Sequence, residues 1–182
     1  MPVLIEALSV VIRVDRIQAK VPTNSPVAGQ MASHPSFCAD GELLRLAFMQ
    51  PQHVADFVAD LESLGLRHVI EDADGRRAED LAVVDQLTGP TVEAPWLEYR
   101  HVDLVPDGSQ PVATVRLKDG KETRTVFPDG WRFQGSMSQQ ARFVPGDQAD
   151  EHVEYLRTEN GLDVYRDRKT GRIHYTPERP RT

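Results

Sequence analysis

A single cysteine, Cys38, stands in the 182 residues, so no internal disulfide can form. That scarcity excludes a small disulfide-stapled secreted scaffold and points to a reducing compartment. Long apolar runs are missing as well. The most hydrophobic stretch, residues 3–14, is broken by Glu6 and Arg13, is too short and too polar to span a bilayer, and has neither the basic leader nor the cleavage site of a signal peptide. A cytoplasmic protein with no membrane partner is expected. There is also no Walker loop, GxGxxG, GxSxG, HExxH or CxxC spacing. These gaps argue against nucleotide-driven chemistry and serine hydrolysis by familiar routes.

What is present reads as an ordinary globular chain: 40% hydrophobic and 27% charged residues, with 13 prolines and 12 glycines. So many turn formers imply short elements. The net charge of −7 is unevenly spread. From 166 onwards, Arg166, Arg168, Lys169, Arg172, Arg179 and Arg181 stand against Asp167 and Glu178. That segment is therefore +4, and residues 1–165 carry −11. An acidic body repels nucleic acid, so only the basic C-terminal segment offers phosphate a contact; a solvated tail explains the same charges.

The pattern predicts an α+β fold, mainly antiparallel sheet, with one long amphipathic helix, a shorter C-terminal helix and a terminal hairpin. Residues 3–14 read as one buried strand, followed by a short helix with Asp15 as N-cap and Pro22 as its stop. Residues 22–36 read as a loop. Strand 43–49 leads into the long helix, which begins at Pro51, carries the stripe Val54, Phe57, Val58, Leu61 and Leu64, and ends at Gly65. Residues 66–70 and 80–86 flank a charged turn. Strands 96–104 and 111–117 follow, then an Asp119-Gly120 hairpin into 122–127. A helix is expected over Asp147–Thr158, with strands 162–167 and 172–176 closing the chain. Residues 134–146 read as a linker, dividing a main domain, 1–134, from a helix–hairpin appendage, 147–182.

Four residues are candidates for chemistry. His101 and Asp103 share a strand face and suit either a divalent metal or a carboxylate-oriented base. Two ligands fall short of the three or four that zinc takes, and a polar pair on a half-exposed strand accounts for them equally. Cys38, four residues after His34, suits a thiolate nucleophile or a small buried hydrophobe. Asp85, at the end of an apolar run, suits a functional carboxylate or a turn-starting aspartate. His53, Asp56 and Asp60 share a helix face of the kind that is ordinarily solvated. Trp96, Tyr99 and Trp131 are the aromatics available for binding.

Residues 37–49, the following helix and 82–99 resemble a family of uncharacterised bacterial proteins over roughly the first hundred residues, and the resemblance implies no particular activity. The order strand–helix–strand–strand–strand from Leu43 to Leu104 is similar to one module of the vicinal oxygen chelate fold, which pairs two modules around a metal. The expected function is a small binding module that recognises another protein, as an immunity or accessory protein does, with no cofactor. The alternative is a metal-dependent small-molecule enzyme of vicinal-oxygen-chelate-like topology, with a divalent metal at His101 and Asp103.

Overall fold

The computed structural model describes residues 1–120, 124–140, 153–159, 162–168 and 173–177. The first apolar run is two strands rather than one. β1 (Val3–Ile5) and β2 (Leu8–Arg13) lie in different sheets, and the chain crosses between them at Glu6 and Ala7. Ala7 has φ +47°, a left-handed conformation that costs a residue with a Cβ about 1–2 kcal/mol. Two hydrogen bonds to Gln86 hold it there.

β2 is the centre of a five-stranded antiparallel sheet of order β3-β4-β2-β7-β8, with β3 at Cys38–Ala39, β4 at Leu43–Phe48, β7 at Leu81–Asp85 and β8 at Gly89–Pro90. Helices α1 (Val14–Lys20), α2 (Pro26–Ser33) and α3 (Pro51–Ser63) connect these strands. Taken as β2, β3, β4 and β7, the strands stand in spatial order fourth, first, third, second. A helical connection follows the first strand and another follows the third, which is the connectivity of a split β-α-β unit. The hairpin of β5 (Val69–Asp72) and β6 (Gly75–Ala78) is inserted before β7. The strand–helix–strand–strand–strand order from Leu43 is present as β4, α3, β5, β6 and β7, but these strands do not all share one sheet. β2 separates β4 from β7, and β5–β6 stands as a two-stranded sheet of its own.

Alternation along the strands builds two cores. Leu8, Val10, Ile12, Leu44, Leu46, Leu81 and Val83 face the helices, where Val54, Phe57, Val58 and Leu61 of α3 and Met31 of α2 meet them. Val11, Leu43, Ala82 and Val84 face the other way, against a three-stranded antiparallel sheet of order β1-β10-β9, with β9 at Leu97–Asp103 and β10 at Pro111–Leu117. The layers are helices, five strands and three strands. β10 is buried on both faces, since Val112 and Thr114 are covered as fully as Ala113 and Val115. A single helical turn, α4 (Met137–Gln140), packs on it.

Asp80 fixes α1 from below. Its side chain is buried, accepts from Lys20 Nζ at 2.6 Å and Arg67 N at 2.8 Å, and lies 3.6 Å from Arg16 Nε. No helix among the described residues is long and apolar enough to cross a membrane.

The fold corrects several expectations. Residues 26–33 of the expected loop are α2, because Pro26 suits the first turn. β5 pairs with β6 rather than with 80–86, since Asp72-Ala73-Asp74-Gly75 forms the tighter turn. β1 takes the place beside β10 expected for 122–127: Val126 instead bridges Val3 in parallel, and 121–123 lie outside the described residues. Residues 153–158 of the expected C-terminal helix belong to strand β11 (Val153–Glu159), while 147–152 lie outside the described residues. β11 pairs with β12 (Leu162–Asp167), which pairs with β13 (Ile173–Pro177), all antiparallel. The spacing of Val153 and Leu156 imitates a helical stripe. Cross-strand partners decide the matter: Glu154 stands opposite Arg166, and Tyr155 meets Tyr165 edge-on at 5.6 Å. Within the expected linker, α4 starts where the Ser136 hydroxyl accepts from Gln139 N and the Gln139 side-chain oxygen accepts from Gly135 N.

Leu61 is wholly buried between α3 and the five-stranded sheet. Leu61→Ala is expected to lower unfolding free energy by about 2–5 kcal/mol, read from the midpoint of urea denaturation at unchanged slope.

Candidate functional site

Titratable and polar groups converge where the end of β7 meets β9. Gln86 follows β7 and is buried. Its side-chain oxygen accepts from Ala7 N at 2.7 Å, and its own N–H donates to Ala7 O at 2.9 Å. The Gln86 carbonyl accepts from the Tyr99 hydroxyl at 2.7 Å, and the phenol oxygen lies 2.6 Å from His101 Nε2. With the phenol proton committed to Gln86, His101 carries its proton on Nε2 and donates to Tyr99. The chain His101, Tyr99, Gln86, Ala7 thus runs from β9 to the crossover between the sheets.

Burial sets the electrostatics here. It raises the Tyr99 phenol well above its ordinary range, helped by the negative charge of Asp85. It lowers the His101 imidazole, partly offset by the Gln86 carbonyl. Both rings are therefore neutral at neutral pH. Tyr99 also lies over Gly89: a Cβ there would stand 3.0 Å from the ring, and Gly89 has φ +85°. The turn after β7 needs glycine on both counts. Asp85 shapes the same turn, its Oδ1 accepting from Leu87 N at 2.7 Å and Thr88 N at 2.9 Å. His101 and Asp85 thus sit on two sides of one cluster, joined through Tyr99 and Gln86.

Asp103 and Cys38 lie elsewhere. Asp103 Oδ1 accepts from Gln110 N at 3.1 Å and Val105 N at 3.4 Å, holding the β9–β10 turn, while the His101 imidazole is directed to Tyr99. Among the described residues no three of His, Cys, Asp and Glu are grouped to hold a metal. Cys38 is buried between the sheets, and its Sγ donates to Val126 O at 3.2 Å. Burial pushes the thiol up to about 11 despite the nearby Arg45 guanidinium, so the thiolate that a nucleophile requires is scarce at neutral pH. His34 turns to Ser36, with Nδ1 2.8 Å from the hydroxyl, and packs on Phe48.

Arg45 is the residue that sequence reasoning passed over. It faces the inter-sheet core from β4 and is wholly buried. Nε donates to Leu4 O at 2.5 Å and Nη1 to Ser36 O at 2.9 Å, while Nη2 has no hydrogen-bond partner among the described residues. The signal was an arginine inside the apolar run 43–48, at a position that alternation sends into the core. Gln86 stands beside Asp85 at the end of the apolar run, but its role depends on the conformation of Ala7, which the sequence does not show.

Two outcomes follow. Gly89→Ala is expected to destabilise the fold by about 1–3 kcal/mol through strain and contact with Tyr99, measured by thermal unfolding. The imidazoles of His34, His68 and His101 are all lowered by burial from 6.5, so the unfolded chain binds their protons more tightly. Their contribution is complete above 6.5, drains away as pH falls through it, and levels off below the folded-state values. His101→Gln should flatten the dependence of unfolding free energy on pH below 7 relative to the parent chain.

Compared with known proteins, the chain matches no family model, no curated protein and no solved structure.

Proposed function

We propose that this chain is a binding protein for another, basic protein, as an immunity or accessory protein is, rather than an enzyme. The observation that carries the reading is the solvent face of α3. It exposes Asp56, Asp60 and Glu62 with no lysine or arginine anywhere in Pro51–Ser63. One-signed surface charge of this kind speeds encounter with an oppositely charged partner and disfavours wrong ones.

The interior supports the same reading. Asp85, Asp103 and Asp80 accept from backbone N–H groups that shape turns and connections, and the Cys38 thiol is held protonated. His101 donates inward to Tyr99, so its Nε2 is committed to the fold. The metal-dependent alternative needs His101 and Asp103 turned to a common point, and their hydrogen bonds hold them to different tasks.

The test is capture of proteins encoded beside this chain in its own genome, using purified full-length protein. A partner should be retained at low salt and released as ionic strength rises. Asp56→Lys with Asp60→Lys should weaken capture at least about tenfold, since like charges at an interface cost several kcal/mol, with thermal stability unchanged. Capture that is indifferent to the double reversal, or the absence of any neighbour-encoded partner, overturns the reading.

A further inference from the structure

Arg45 raises a question that the binding reading does not answer. A guanidinium taken wholly out of water is costly unless its donors are matched, and every buried polar group left unpaired asks for a reason. Arg45 makes two bonds, to the carbonyls of Leu4 and Ser36, and leaves Nη2 with none. Among the described residues no carboxylate lies within ion-pair distance of it.

A claimant is Glu6, two residues along the chain from Leu4, whose carbonyl Arg45 already holds. Burial lowers the Arg45 guanidinium, and the negative charge of Glu6 opposes that. Glu6 is engaged elsewhere: Oε1 accepts from both the backbone N–H and the hydroxyl of Ser138, each at 3.0 Å. Those two bonds tie the start of α4 to the crossover between the sheets. α4 is one turn long and polar, with the sequence Met137-Ser138-Gln139-Gln140, and a helix that short has no stability of its own. It packs on β10, whose Val112 and Thr114 are buried on the face away from the five-stranded sheet.

We propose that Glu6 is a two-position latch. In the position seen, it clamps α4 onto β10 through Ser138; when α4 lifts, the carboxylate swings to the unpaired Nη2 of Arg45. The exchange gives each state one satisfied partner, so opening α4 does not strand a carboxylate. It turns a short polar helix into a removable cover over the three-stranded sheet. The latch is intramolecular and independent of the acidic face of α3.

Hydrogen exchange and arginine side-chain NMR on the full chain test it. In Ser138→Ala, the amides of Met137–Gln140 should exchange about tenfold faster, the equivalent of one lost charge-assisted hydrogen bond, with those of β2 and β7 unchanged. The Nη groups of Arg45 should resolve into separate, slowly rotating signals as Glu6 pairs with them. Adding Glu6→Gln should abolish that resolution while α4 stays fast. Ser136→Ala, which removes the hydroxyl that accepts from Gln139 N without touching Glu6, is the second variant, and the same result is expected. The proposal is overturned if α4 amides exchange only with the global opening reported by β2, or if the Arg45 signals stay those of the parent chain once α4 is loosened.

Discussion

The structure turns on two hydrogen bonds between Ala7 and Gln86. They hold a left-handed alanine at the point where the chain leaves one sheet for the other, so they fix the angle at which β1 departs from β2. Everything on the far side of the five-stranded sheet is placed from that corner. β1 aligns β10, and β10 aligns β9. β9 then returns Tyr99 and His101 to the Gln86 carbonyl, closing the loop of contacts on the residue that began it. Local strain is retained here because the surroundings over-determine it.

The side chains with chemical potential are mostly consumed in this way. Asp85, Asp103 and Asp80 stand where a carboxylate best serves exposed N–H groups of turns and connections. Tyr99 and His101 serve a carbonyl. The residues that looked catalytic are thus the residues that a small, turn-rich fold needs for its own backbone. The charges on α3 face solvent, with Asp56 accepting from Gln52 and Glu62 from His68 N at 3.4 Å.

Much of the core was legible. The stripe Val54, Phe57, Val58 and Leu61 is the buried side of α3, and the alternation in β4 and β7 divides residues between the two cores as strand geometry requires. The break at Ala7 was not legible, because alanine gives no sign of positive φ; what forces it is a glutamine 79 residues away. Strand β11 was misread because Val153 and Leu156 satisfy a helical spacing, and only the partner strand settles the choice. At the candidate site, the sequence pointed to His101 and Asp85, and the structure joins them. It also pointed to Asp103 and Cys38, which share its vocabulary of residue types and lie elsewhere. Spacing along a strand places two side chains on one face; it does not say which backbone group each will answer.

The pairing of β1 with β10 bears on how the chain is made. Val3 stands opposite Val115, a separation of 112 residues. At roughly 5–20 residues per second, translation supplies that partner roughly 6–22 seconds after the strand itself. β2, by contrast, finds β4 within about forty residues. For that interval the first strand is a fully apolar segment, Val3-Leu4-Ile5, with no sheet to join. The helix-backed half of the protein can close before β1 meets its partner strand.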